Sequence, residues 1–233
     1  MYMQGYNQSR QATSSTLSGY QQKVLLFGCG LLTALLLLVR YCSPVPIANM
    51  TRDPLVAAKA PFYLGFFSNI GVMLWCFTAA VCLFSSLLLL LTQKQRDMMQ
   101  FFAVFGVLNT WLMIDDWLTF HEQLERLVPP LSEKLTFSVY AALVLFSLCR
   151  FRKIWLKTQP YLLGLSLLLF VISILIDVAI PTEWFAAVDD EYLLEDGTKL
   201  LAIFVWTVYF WRIGLEAITR LIQLPGSTRP LSQ

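Results

Sequence analysis

This 233-residue chain contains a single histidine, and its five cysteines, Cys29, Cys42, Cys76, Cys82 and Cys149, include no Cys-x-x-Cys pair. One histidine excludes a three-histidine zinc site and ligation of haem or chlorophyll through paired histidines. The scattered cysteines read as small apolar packing residues, not as a redox or metal motif. The Gly-rich phosphate loop, the Gly-x-Ser-x-Gly elbow and the His-Glu-x-x-His zinc helix are also missing. No inverted repeat is visible either, which counts against a conventional secondary transporter. Charged residues make up only 14% of the chain and are far from evenly spread.

What is abundant is apolar sequence. With 57% hydrophobic residues, the composition is that of an integral membrane protein. Apolar runs cover about 24–42, 63–91, 99–120, 134–149, 159–180 and 196–218. Crossing ~30 Å of hydrocarbon takes ~20 helical residues, so all six can span, the fourth only just. Backbone groups in lipid must bond within their own segment, which makes the fold class all-α, a polytopic six-helix bundle. The expected organisation is a polar cytoplasmic tail over 1–22, a transmembrane domain over 23–222 and a short tail over 223–233. The first apolar run is long and lacks a small-residue cleavage site, so it is expected to stay as the first span. The localisation implied is a multi-pass protein of a bacterial inner membrane or its equivalent. Asn49-Met50-Thr51 is a glycosylation sequon, meaningful only on a eukaryotic secretory route.

Assigning alternate connections to opposite sides separates the charges. Eleven of the 17 Lys and Arg residues fall with the termini and even-numbered connections. Among them are Arg150, Arg152, Lys153 and Lys157, a cluster free of acids. By the positive-inside rule this side, with both termini, is cytoplasmic. Thirteen of the 15 acids fall on the other side, leaving only Asp97 and Glu216 with the cytoplasmic set. The net charge of +2 is the sum of two opposed faces and implies no nucleic-acid partner.

Several of these acids sit inside or at the ends of spans, where a charge is costly and usually functional. In the third span, Asn109, Asp115, Asp116, Thr119, Glu122 and Gln123 share an arc of about 140° at 100° per residue. This polar stripe is expected to face the bundle interior. His121 points away from it unless the helix loosens near its end. On the fifth span Ser166, Phe170, Ser173 and Asp177 share a face. The sixth opens with Glu195-Asp196-Gly197-Thr198-Lys199, in which Glu195 and Lys199 are spaced to pair. Ser68 and Asn69 lie about one turn into the second span. All of these come out at a similar depth near the acidic surface, so a shared, outward-opening site is the economical expectation. Glu183, Asp189, Asp190 and Glu191, like Glu125 and Glu133, read as solvated helix ends.

Three chemistries fit such a site. A divalent metal ion held by Asp115, Asp116, Glu122 and Asp196 would activate water, with His121, Glu195 and Lys199 moving protons or charge and Ser68, Asn69 and Asp177 as polar support. A cation or proton pathway would use the same acids as relay groups. An electrostatic network neutralised by Lys199 would have no chemistry of its own.

The pair Asp115-Asp116-x4-His121-Glu122 and Glu195-Asp196-Gly197-x-Lys199 resembles a group of bacterial six-span proteins with no established activity, over roughly spans two to six. More distantly, Ser68-Asn69, Asp115/Asp116 and His121 look like the polar residues of the alkaline ceramidase-like intramembrane hydrolases, which surround zinc. That family has seven spans and a His-x3-His motif, which this chain lacks. Glu195–Lys199 is also similar to the Glu-x-Gly-Asp-Lys/Arg motif of cation exchangers, with the Gly-Asp order reversed. The expectation formed here is a metal-dependent intramembrane hydrolase of a lipid or amphiphile. Its rivals are a cation or proton transporter and a non-catalytic assembly or sensing protein. The bilayer is the one definite partner, with a lipid substrate or a cation as the small ligand.

The charge split is directly testable. A reporter fused after Lys157 is expected to read cytoplasmic and one inserted near Asp190 external. Reversal of both would overturn the orientation.

Overall fold

The structure, a computed structural model, describes residues 22–23, 25–42, 44, 52–93, 95–120, 123, 133–179 and 188–223. No strand occurs among the described residues. The chain divides into two compact units, Met1–Leu64 and Gly65–Gln233. The tails expected over 1–22 and 223–233 lie almost wholly outside the described residues.

The first unit holds α1 (Leu25–Cys42), apolar on every side, as a lipid-immersed helix must be. It also holds the single turn α2 (Pro54–Ala57). Asp53 caps that turn by accepting the Leu55 and Val56 amides at 2.8 and 3.1 Å, and the Pro54 ring presets its first residue.

The second unit holds α3 (Phe66–Thr92), α4 (Arg96–Leu118), α5 (Glu133–Arg150), the short α6 (Arg152–Trp155), α7 (Pro160–Ala179) and α8 (Val188–Gln223). These coincide with the expected spans to within a few residues, except that α8 begins earlier and α4 ends at Leu118. Five of the helices, α1, α3, α4, α7 and α8, are long and apolar enough to cross a membrane. The apolar part of α5, Leu135–Arg150, is shorter.

Side-chain contacts give the directions. Ser166 Oγ donates to the Ala202 carbonyl at 2.8 Å and Ser173 Oγ to that of Glu195 at 3.1 Å. Seven residues forward on α7 match seven back on α8, so the two are antiparallel. Along α3 and α8 the contacts advance together, Trp75 beside Trp206, Thr78 beside Thr207, Ser85 beside Gly214, so these run parallel. Gln93 and Gln95, both left-handed with φ of 51° and 55°, reverse the chain between α3 and α4. Midway along α5, Tyr140 meets Asp115 near the end of α4. Beyond its end, Phe151 packs edge-on to Phe101 near the start of α4. α5 therefore runs antiparallel to α4.

Lipid tails are as apolar as leucine, so burial alone does not draw these helices together; close packing and hydrogen bonds must. The packing is aromatic. Phe101, Phe102 and Phe105 of α4 interlock with Trp206, Tyr209 and Phe210 of α8, with Phe105 and Phe210 centroids 5.1 Å apart. Glycine brings the backbones close. A Cβ on Gly106 would lie 2.6 Å from Leu83 Cδ2 and 3.2 Å from the Leu83 backbone nitrogen. Gly106→Ala is accordingly expected to destabilise the protein by about 1–3 kcal/mol, the usual cost of overpacking. Gly164→Ala, where a Cβ meets nothing within 4 Å, is expected to cost nothing. Thermal unfolding of both variants in detergent is the check, and equal midpoints would remove the close contact from the account.

Candidate functional site

The polar stripe of α4 does turn inward. Asn109 is wholly buried and Asp115 is 3% exposed. Asp116 is part-buried, and its carboxylate joins three helices. Its Oδ1 meets Lys199 Nζ of α8 at 3.1 Å, and its Oδ2 accepts the indole N–H of Trp75 of α3 at 2.8 Å. Asp115 adds a fourth helix, because Tyr140 of α5 donates its hydroxyl to Oδ1 at 2.9 Å. Both carboxylates and the lysine lie within the apolar spans Arg96–Leu118 and Leu193–Ile222. A lone charge there would be costly, and the ammonium cancels one of the two negative charges. The Asp116 and Lys199 side chains are 16% and 38% exposed, counting surface that faces lipid as well as water. The pair is half-buried.

Deeper in the bundle the donors are aromatic and the acceptors few. Trp206 donates its indole N–H to Asn109 Oδ1 at 2.9 Å, and Asn109 Nδ2 donates to the Phe105 carbonyl at 2.6 Å. Trp75 stacks on Phe170 with centroids 6.0 Å apart and an interplanar angle of 10°. This stack holds the indole edge toward Asp116. Next along α8 come Thr78 and Thr207, hydroxyl oxygens 2.9 Å apart. Toward the basic end, Tyr209 and Thr158 oxygens lie 3.4 Å apart, and Gln159 Nε2 donates to Glu216 Oε1 at 3.4 Å. Arg220 sits 3.8 Å from the other Glu216 oxygen. Ser85, 1% exposed beside Gly214, has no hydrogen-bond partner for its hydroxyl.

Of the residues singled out in the sequence, Asp115, Asp116 and Lys199 come together. Glu195 is part-buried one turn before Lys199, its carbonyl held by Ser173. Asp196 is exposed, as is Asp177 near the end of α7. Ser68 and Asn69 are exposed in the first turn of α3 and do not reach the carboxylates. His121 and Glu122 lie outside the described residues. α4 ends just before them, where Thr119 turns left-handed with φ 48°.

Among the described residues no group of three or more His, Cys, Asp or Glu side chains is arranged to hold a metal ion. At Asp116 a dication would meet the Lys199 ammonium already seated on Oδ1, and like charges compete for that oxygen.

Sequence reasoning missed the donors Trp75 and Tyr140. The available signal was chemical: an indole N–H or phenol O–H deep in an apolar span must find an acceptor, and the nearest acceptors are the carboxylates.

Removing the lysine strands Asp116. Lys199→Met is expected to cost about 1–3 kcal/mol, below the range for a fully buried pair because this one is half-exposed. Adding Asp116→Asn is expected to recover part of the loss. A double-mutant cycle by thermal unfolding in detergent checks this, and simple additivity would make Lys199 an independent, snorkelling residue.

No curated protein and no solved structure matches the chain, so none of the three resemblances drawn from the motifs gains support from them. Residues 24–213, most of the chain, match a family described as a domain of unknown function (DUF8692), and the chain belongs to that family.

Proposed function

We propose that this is a six-span integral membrane protein with both termini in the cytoplasm, and that it moves protons or small cations along the seam of α8. The Asp115–Asp116–Lys199 centre is its ion site on the extracytoplasmic side. The observation that carries this reading is the recurrence of side-chain pairs down α8: Lys199 with Asp116, Trp206 with Asn109, Thr207 with Thr78, Tyr209 with Thr158 and Glu216 with Gln159. At 1.5 Å per residue, positions 199 to 216 cover about 25 Å, most of a bilayer's hydrocarbon thickness. A hydrolase needs polar groups only where a bond is broken, whereas a conduction path needs them at every depth. Thr78, Ser85, Ser86 and Thr207 look like thin provision in the sequence, yet all four are buried.

At the ion site Lys199 occupies the place of a bound cation. A proton or cation arriving at Asp116 competes with the ammonium and releases it, and Asp115 beside it offers a second carboxylate. Cation binding requires ionised carboxylates, so it weakens as pH falls and protons take the same oxygens.

The second reading is a metal-dependent hydrolase of a lipid or amphiphile. It is supported by the crowding of acids at one surface, with a divalent metal on Asp115, Asp116, Glu122 and Asp196 and with His121 or Glu195 moving protons. It requires Lys199 to leave Asp116. An assembly or sensing role would use the ion pair only as a clamp.

One experiment separates the three. In sealed proteoliposomes with an imposed pH or cation gradient, the wild type is expected to show flux that Asp116→Asn abolishes, with no new lipid product. Lipid product without flux would establish the hydrolase instead. Neither flux nor product would leave the clamp.

A further inference from the structure

At the basic end of the bundle, away from the carboxylates, α4 and α5 leave a groove of about 290 Å³. It is lined by Gln100, Ala103 and Val104 of α4, by Phe146, Ser147 and Arg150 of α5, and by Phe151 just beyond. The Ser147 hydroxyl is spent on the Leu143 carbonyl at 2.8 Å, which leaves the interior apolar. Phe146 is 72% exposed and Val104 40% exposed along it. The groove starts inside the spans and opens where α5 ends. Its volume sits near the lower edge of the ~300–1,000 Å³ common for ligand sites.

Arg150 stands at that opening, its guanidinium 5.2 Å from the Phe151 ring centroid. Arg152, Lys153 and Lys157 follow within eight residues, with no acid in the stretch. None of the four has a carboxylate partner among the described residues. Backbone turns and the Trp155 indole, which donates to the Leu148 carbonyl at 2.8 Å, fold this segment back against the end of α5. An apolar slot thus lies between α4 and α5 with Arg150 in its lining, and three further cations follow Arg150 within seven residues.

We propose that this groove binds an anionic phospholipid. One acyl chain lies along Ala103, Val104 and Phe146, and the phosphate is held by Arg150 with help from Arg152 and Lys153. The chemistry selects this occupant. A soluble anion has no use for a slot within the span, and a neutral lipid leaves the cations unsatisfied. A phospholipid of net negative charge matches both halves, and basic pockets between membrane helices suit such headgroups. The guanidinium fork of Arg150 also suits two phosphate oxygens at once. This inference is independent of what the carboxylate centre does.

The test uses full-length protein purified in a neutral detergent. Phosphatidylglycerol or phosphatidylcholine is titrated in, with retention read by native mass spectrometry and stability by tryptophan fluorescence on heating. Phosphatidylglycerol is expected to be retained and to raise the unfolding temperature, with phosphatidylcholine doing neither. Arg150→Gln is expected to weaken retention about tenfold, and Arg220→Gln, at the Glu216 pair, to leave it unchanged. Val104→Trp fills the slot without altering charge and is expected to weaken retention as well. It keeps the proposal falsifiable should Arg150→Gln misfold. Equal retention of the two lipids would overturn the proposal, as would retention untouched by both Arg150→Gln and Val104→Trp. Equally strong binding of glycerol phosphate, which has no acyl chain, would assign the cations to a soluble anion and overturn it too.

Discussion

A charge held in hydrocarbon must be neutralised where it stands, and Asp116 is the residue on which this bundle meets that demand. Its two oxygens face α8 through Lys199 and α3 through Trp75. Three helices are thereby brought to one height and one mutual rotation. The aromatic core beneath follows from this placement: with Trp75 turned toward Asp116, its ring lies on Phe170 and against the edge of Trp206. Asp115 brings α5 in through Tyr140. Each bond is modest in water, but in lipid the alternative to making it is an unsatisfied polar group.

α8 is the organising helix. It runs parallel to α3 and antiparallel to α7, and its inward side meets a polar partner every one or two turns. Serines of α7 reach its backbone, threonines and an asparagine meet its side chains, and Gly214 admits Ser85 at close range. A seam of this kind binds helices together without using the hydrophobic effect, which lipid cancels. The same seam also provides polar groups through the depth of the bundle, the property on which the transport reading rests. The two ends differ: two adjacent acids and a lysine within the spans at one, and at the other the cluster Arg150, Arg152, Lys153 and Lys157, without a carboxylate partner among the described residues, beside an apolar groove.

Much of the fold was legible because its signals are one-dimensional. Span positions depend on runs of apolar residues, and the helices Phe66–Thr92, Arg96–Leu118 and Pro160–Ala179 lie where those runs do. The inward stripe of α4 was legible because Asn109, Asp115 and Asp116 share a narrow arc on an otherwise apolar helix. Depth proved a weaker guide. Ser68, Asn69 and Asp177, expected at the depth of the carboxylates, are exposed, since depth says nothing about which way a helix faces. The end of α4 was not legible either, because no glycine or proline marks the left-handed turn at Thr119.

By itself, the sequence determined that this is a helical membrane protein and roughly where its long apolar helices lie. Those properties come from composition and periodicity along one strand of chain. Only the tertiary structure decided that Lys199 pairs with Asp116 and not with Glu195 four residues away, that Trp75 and Tyr140 supply the other donors, and that Thr78, Ser85, Ser86 and Thr207 point inward. These depend on the rotation and register of helices far apart in the chain, which packing sets: the close approach at Gly106 and Gly214, the interlocked rings of α4 and α8, and the need of every buried donor for an acceptor.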